Sequence, residues 1–230
     1  MVGYKDSIKK IEIAEATDIA YVKIGYNSKK LIVSFASNYH DGFERKSSLM
    51  KLRYERNDFD VLYLRNRSKW YLGQLTGIGE TVNHTISFLR YEFSKYDQIL
   101  CVGSSAGGYA SLLFGSLLKV STVVTFIAQT DLQYCLDNYP GLRIDKINLR
   151  NRAKQSPDVW KKYNKICNIL DNEVTYHVCY ADCGEFCNKH RGRILHGPYH
   201  YDQIKNFPTV NEFKLKEDMD ELIKQFLEKL

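Results

Sequence analysis

An apolar run, Gln98-Ile99-Leu100-Cys101-Val102, passes through Gly103-Ser104-Ser105-Ala106-Gly107-Gly108 into a small-residue helical pattern from Ala106 to Leu118. The joint fits G-x-S-x-G, and it constrains the chain more than any other segment. A buried strand that runs straight into a helix belongs to a layered α/β sheet. A serine at such a joint lies on a sharp, strained turn. Glycines two residues before and after it remove Cβ atoms that would strike the neighbouring strand and helix. The turn lifts Ser105 Oγ above the sheet edge, where the helix N-terminus aims free N–H groups at whatever the serine attacks. The competing reading is a glycine-rich turn that only permits close packing. The strand before and the helix after favour a nucleophile.

The other elements fit the same architecture. Ile11-Glu12-Ile13 and Ile19 to Ile24 read as two short strands joined by Ala16-Thr17-Asp18, an opening hairpin. Leu31 to Ala36 and Val61 to Leu64 read as buried strands, with a short helix near Glu44 to Arg56 between them. Glu80 to Lys95 carries helical spacing through Val82, Ile86, Leu89 and Phe93. Thr122 to Ile127, Val174 to Tyr180 and Val210 to Leu215 follow as strands. Asp218 to Leu230 closes the chain as an amphipathic helix. Asp131 to Pro157 reads as irregular, and Pro157 to Leu170 as a helix with Ser156 as N-cap. The fold class is therefore α/β: a mostly parallel sheet with an opening antiparallel hairpin and helices on both faces. Ligands of such sheets bind at the carboxyl ends of the strands, which is where the Ser105 turn lies.

At 230 residues the chain suits one domain, with a cap insertion around 131–170. The N-terminus MVGYKDSIKKIEIAE has no apolar core of signal-peptide length, which predicts a cytosolic protein. The most apolar stretch, Tyr109 to Ala128, is interrupted by Lys119 and splits into a helix and a strand rather than a membrane span. Six cysteines in a chain of this size fit a reducing compartment. The net charge of +6 favours anionic partners, with basic residues clustered at Arg143, Lys146, Arg150, Arg152, Lys154, Lys161 and Lys162. The plainer reading of that cluster is a solvated surface. No nucleic-acid motif accompanies it. Cys179, Cys183 and Cys187, with His190 three residues on, are spaced too evenly for the paired cysteines of structural zinc, so no metal is expected.

The element order and the GSSAGGYA segment resemble the α/β-hydrolase superfamily. Asp60 to Arg65 running into Trp70-Tyr71-Leu72-Gly73, and Val123 to Thr130, are similar to small members tied to bacterial capsule and surface-glycan synthesis, O-acetyltransferases among them. The resemblance implies a triad. Ser105 matches the nucleophile. The acid is placed after the strand that follows the cap, at Asp182, with Glu185 as fallback. The family histidine follows the last strand, and Phe213 to Asp218 contains none. His200, in His196-Gly197-Pro198-Tyr199-His200, is the first choice for the base and His196 the second. His84 and His177 read as structural. The resemblance also implies oxyanion donors at the Ala106 amide and at Ser37 or Asn38, with His40 lining the site.

A serine hydroxyl needs a base within reach, and the base needs a group that holds its tautomer. The acyl-enzyme so formed can pass its acyl group to water or to a sugar hydroxyl. The expected function is an esterase or a glycan O-acetyltransferase, acting on an ester or glycan substrate. Acetyl-CoA is the acyl donor if the reaction is transfer. Arg65, Trp70 and Tyr71 are placed to line an acceptor site; the alternative is that Trp70 and Tyr71 only anchor their loop in the core. The alternative function is a binding or scaffold protein that keeps the fold and has lost catalysis, motivated by the missing histidine.

Overall fold

Valine-, leucine- and isoleucine-rich runs build the sheet, because strands covered on both faces must be apolar throughout. The computed structural model describes residues 3–25, 28–37, 42–66, 70–138, 143–180, 197–214 and 219–228. In it β1 (Tyr21–Ile24), β2 (Lys30–Phe35), β3 (Asp60–Leu64), β4 (Gln98–Ser104), β5 (Thr122–Phe126), β6 (Thr175–Tyr180) and β7 (Val210–Lys214) form one sheet, ordered β1-β3-β2-β4-β5-β6-β7. Only β1 is antiparallel, paired with β3; the other pairings are parallel.

Two helical layers cover the sheet. Helices α1 (Tyr4–Ala16), α2 (Lys46–Arg56) and α9 (Met219–Glu228) lie on one face, where Ile11, Met50 and Ile223 pack on Ile32, Val61, Val102 and Phe126. Helices α3 (Val82–Phe93) and α4 (Ala106–Leu117) lie on the other, where Leu89, Tyr109 and Phe114 pack on Phe35, Cys101 and Val123. Chain order along the sheet reverses at β2, with β3 on one side and β4 on the other. The loop after β2 leads to α2 on one face, and the turn after β4 leads to α4 on the opposite face. That divergence puts the carboxyl ends of β2 and β4 at the topological switch point, the usual ligand position in an open α/β sheet.

Two expectations need correction. There is no opening hairpin: Ile11-Glu12-Ile13 belongs to α1, and β1 pairs with β3 in the register Tyr21↔Leu64. The apparent alternation misled, because Ser7, Ile11 and Ala14 are the buried positions, at helical spacing, while Ile13 is 54% exposed. Within the stretch expected to be irregular, the described residues form two helices, α5 (Leu132–Asn138) and α6 (Arg143–Gln155). Asp131 Oδ1 accepts the Tyr134 N–H at 2.9 Å, as an N-cap carboxylate does. Then α7 (Pro157–Tyr163) opens on its proline, without a side-chain bond from Ser156, and a 3₁₀ turn follows at Ile166–Asn168. These elements are tied down by Tyr109 Oη donating to the Tyr163 carbonyl at 2.8 Å and the Ile166 N–H donating to the Thr130 carbonyl at 2.8 Å.

Among the described residues no helix is long and apolar enough to cross a membrane, and no group of His, Cys, Asp and Glu is placed to hold a metal ion. Cys179 is buried in the core on the α1 face, where burial pushes its thiol up to about 12. Cys183, Cys187 and His190 lie outside the described residues.

Candidate active site

Ser105 stands between β4 and α4 with φ 54° and ψ −120°. That conformation is costly for any residue with a Cβ, about 1–3 kcal/mol, and persists only where the surroundings enforce it. Here they do. The Ser105 N–H donates to the Phe126 carbonyl at 2.9 Å, and the Ser105 carbonyl accepts the Tyr109 N–H at 3.0 Å. A Cβ at Gly103 would collide with the Gly107 carbonyl, and one at Gly107 with the Phe35 carbonyl oxygen. The glycines let α4 sit directly on the end of β2, and Ser105 is what the turn presents. Its side chain is half-buried at the rim, above a helix start whose first amides, Ala106 included, have no intrahelical acceptor.

Ser105 Oγ accepts a hydrogen bond from Gln129 Nε2 at 3.2 Å. Gln129 follows β5 through Ile127, a β-branched residue at φ 52°. This left-handed kink, pinned by the Ile127 N–H on the Cys179 carbonyl at 2.8 Å, turns residues 128–130 across the rim. Gln129 lies within the Val123 to Thr130 segment, where sequence alone assigns it no role.

The structure does not bring His200 to Ser105. His200 lies on α8 (Gly197–Asp202), 2% exposed. The Thr130 N–H donates to its Nδ1 at 3.1 Å, and Thr130 Oγ1 donates to its backbone carbonyl at 2.8 Å. An amide N–H can only donate, so Nδ1 carries no proton and Nε2–H faces Cys135 Sγ at 3.6 Å. A triad histidine needs the opposite tautomer, with Nδ1–H on a carboxylate and Nε2 open to the serine. The rings of Tyr134 and Tyr199, stacked at 3.6 Å, meet the imidazole edge-on. Tyr199 Oη donates to Asp131 Oδ2 at 3.2 Å; burial first, then the Asp131 charge, pushes this phenol up to about 12.

The other expected residues fall as follows. The Ser37 amide is already committed: it donates to Glu44 Oε2 at 2.7 Å. Glu44's neighbour Arg45 reaches the end of β4, where Arg45 Nη2 donates to Ser104 Oγ at 2.9 Å. Asn38, His40, Asp182, Glu185 and His196 lie outside the described residues. Arg65, Trp70 and Tyr71 are 2%, 2% and 0% exposed, so the core-anchor reading replaces the acceptor-site one. Arg65 Nη2 donates to the carbonyls of Ala14 and Glu15 at 3.0 and 3.1 Å, closing the C-terminus of α1. Tyr71 Oη donates to the Ala36 carbonyl at 3.0 Å, and burial raises its phenol far above the ordinary range. These side chains brace the end of β2 from below.

The 42–46 segment, which precedes α2, is held by Glu15, which accepts from the Phe43 N–H at 2.8 Å and from Lys46 Nζ at 2.7 Å. Burial raises the Glu15 carboxyl, but these partners outweigh it and hold the group below its ordinary 4.5. A lowered carboxylate stabilises the fold above its unfolded value and loses that contribution as pH falls through the folded one. Urea midpoints of the parent and Glu15→Gln are expected to differ by a constant amount at neutral pH and to converge below about pH 4.5, the reference carboxylate range. A gap that persists unchanged to pH 3 rules out the ion pair as the tether.

No protein-family model and no curated protein matches this chain. Solved structures do. The capsule O-acetyltransferase of Neisseria meningitidis serogroup A superposes with a TM-score of 0.57 at 13% identity, covering 91% of this chain and 89% of that one. Esterase B from Lactobacillus rhamnosis gives 0.55 at 10% identity, over 92% and 83%. The fluorophosphonate-binding serine hydrolase F of Staphylococcus aureus gives 0.51 at 14%, over 91% and 97%. At these identities the likeness is one of fold, and the fold is that of the α/β-hydrolases.

Proposed function

We propose that this chain, an α/β-hydrolase by fold, is a serine acyl-ester enzyme in which Ser105 is the nucleophile, working as an esterase or as an O-acetyltransferase on a bacterial glycan. One observation carries the reading: a non-glycine residue at φ 54°, ψ −120°, half-buried on the carboxyl rim. Backbone strain of this kind concentrates at functional positions. Attack by Ser105 Oγ on an ester carbonyl releases the alcohol and leaves an acyl-enzyme. The Ala106 amide stabilises the oxyanion. The same geometry suits esters in general; the glycan is proposed from the resemblance to capsule-associated members and from the likeness to the meningococcal enzyme.

The base in this reading is one of His40, His190 and His196, with Asp182 as the acid. The remaining histidines are engaged elsewhere. His84 Nδ1 accepts the Glu80 N–H at 3.0 Å, His177 packs on Phe226 with ring centroids 4.2 Å apart and planes tilted by 34°, and His200 is clamped by Thr130. Labelling by a fluorophosphonate probe tests this. The parent and His200→Gln are expected to label, and Ser105→Ala is not. Loss of labelling in a His200→Gln chain that melts at the parental temperature returns the base role to His200.

A second reading, a catalytically silent scaffold, draws on two contacts. Among the described residues Ser105 Oγ accepts from an amide and meets no imidazole, and a carboxylate accepts the Ser37 N–H. A folded parent protein that takes up no probe selects it.

A further inference from the structure

The positive charge of this chain is not spread over its surface. Residues 143–165, from the start of α6 to just past α7, carry eight lysines and arginines against two aspartates. That surplus of six equals the net charge of the whole chain, so the remainder is neutral. On α6, Lys146, Arg150 and Lys154 recur every fourth residue and form one ridge, with a cation about every 6 Å along the axis. Arg150 and Lys154 are exposed and Lys146 is half-buried. Like charges at this spacing destabilise a helix, and α6 has almost no apolar stripe to offset them. Lys161 and Lys162 add two exposed cations in the last turn of α7. Among the described residues, the segment's one ion pair is Lys165 Nζ with Asp131 Oδ2 at 3.5 Å. Both helices are fixed near the Ser105 turn. Tyr109, one turn beyond Ser105 in α4, holds the Tyr163 carbonyl at the end of α7. The Leu132 N–H donates to the Asn164 carbonyl at 2.8 Å. Arg152 of α6 packs on Gly73, where an added Cβ would strike its guanidinium.

We propose that the ridge of α6, with the end of α7, docks a linear anionic glycan, a polymer with an acidic group on its repeating unit, and holds it beside Ser105. As a statement about substrate this rests on the proposed Ser105 chemistry; the docking itself does not. Charge complementarity selects the partner, because a row of uncompensated cations attracts a chain of regularly spaced anions. A membrane surface fits less well. Helices that lie on lipid bury an apolar face, and Ile147 is the one large apolar side chain exposed on this segment among the described residues. Single-stranded nucleic acid is bound by stacking on accessible aromatic rings, and Trp160 and Tyr163 are buried at 8% and 3% exposure.

The experiment measures binding of end-labelled polygalacturonate to the full chain by fluorescence anisotropy across a salt series. Neutral dextran of matched length and vesicles of phosphatidylglycerol with phosphatidylcholine serve as the alternatives. The parent is expected to bind polygalacturonate and not dextran, with log affinity falling linearly in log salt as counterions are released. The triple variant Lys146→Gln, Arg150→Gln, Lys154→Gln binds at least about tenfold more weakly at low salt, and its salt slope is smaller by about two. It melts no lower than the parent, since the like-charge contacts along α6 are gone. A second triple variant, Lys5→Gln, Lys9→Gln, Lys51→Gln, has the same net charge and stays within about twofold of the parent, because distant charges are screened. With O-acetylated polygalacturonate as substrate, the ridge variant raises KM more than it lowers kcat, the mark of lost ground-state binding. Equal losses in the two triple variants, dextran bound as tightly as polygalacturonate, an unchanged KM, or retention by the anionic vesicles without binding of the polymer overturns the docking surface. A parent that binds polygalacturonate through the ridge but takes up no fluorophosphonate loses the Ser105 reading and keeps the surface.

Discussion

A Ser105→Ala chain is expected to lose fluorophosphonate labelling completely and at least about 10³-fold of its ester turnover, while melting close to the parental temperature. The two halves of that result come from different atoms. Chemistry resides in Oγ, and residual turnover would come only from the Ala106 amide and binding. Stability resides in the backbone. The Ser105 N–H still reaches Phe126, and its carbonyl still accepts from Tyr109. Alanine suffers the same strain at φ 54° as serine, so the substitution neither relieves nor adds to it. Ser105→Gly separates the two terms: glycine adopts this conformation without the Cβ penalty, so this variant should melt above Ser105→Ala while remaining equally inactive. A Ser105→Ala enzyme that turns over acetyl esters at the parental rate removes Ser105 from the mechanism. A Ser105→Gly variant less stable than Ser105→Ala removes the claim that the turn is strained.

What the sequence disclosed here was local, and what it concealed was long-range. The Ser105 turn could be read because its requirements lie within six consecutive residues, Gly103 to Gly108. Glycine at 103 and 107 answers a clash that the spacing itself implies, and the structure shows the obstacles. The buried strands were legible for a similar reason, since continuous apolar runs have few other uses. Helix α1 was not, because its Ile-Glu-Ile alternation imitates a strand and its C-terminus is closed by Arg65, some fifty positions away. The cap helices were missed because α6, RIDKINLRNRAKQ, has almost no apolar stripe and periodicity has nothing to register. Arg65 looked like a substrate residue only because its carbonyl partners are invisible from its neighbours. His200 looked free for the same reason: the Thr130 amide that fixes its tautomer is seventy positions earlier. Glu44, which takes the Ser37 amide, could not have been found from spacing at all. Polar side chains near a strand end suggest chemistry, and only tertiary contacts show which of them are already occupied.

The largest loss of stability is expected from Gly107→Ala, and it links the fold to the site. In an exposed helix the exchange would help, since alanine is favoured over glycine by roughly 1 kcal/mol. Here the added methyl meets the Phe35 carbonyl oxygen and the backbone carbons behind it. That strand is paired on both sides, to β3 and to β4, so it cannot yield as the tip of a side chain would. Inserting a methyl group into an ordinary well-packed core costs about 1–3 kcal/mol, and a rigid backbone obstacle puts Gly107→Ala at or above the upper end of that range. The expected observation is a urea midpoint well below the parental one, with Ser105→Ala, which adds no clash, as the reference. Any folded fraction must hold α4 away from β2. Ser105 stays in the chain, but the Ala106 amide at the start of α4 moves with the helix, so turnover per folded molecule falls as well. A Gly107→Ala protein with the parental midpoint and parental turnover would show that α4 does not press on β2, and the enforced turn at Ser105 would lose its physical cause.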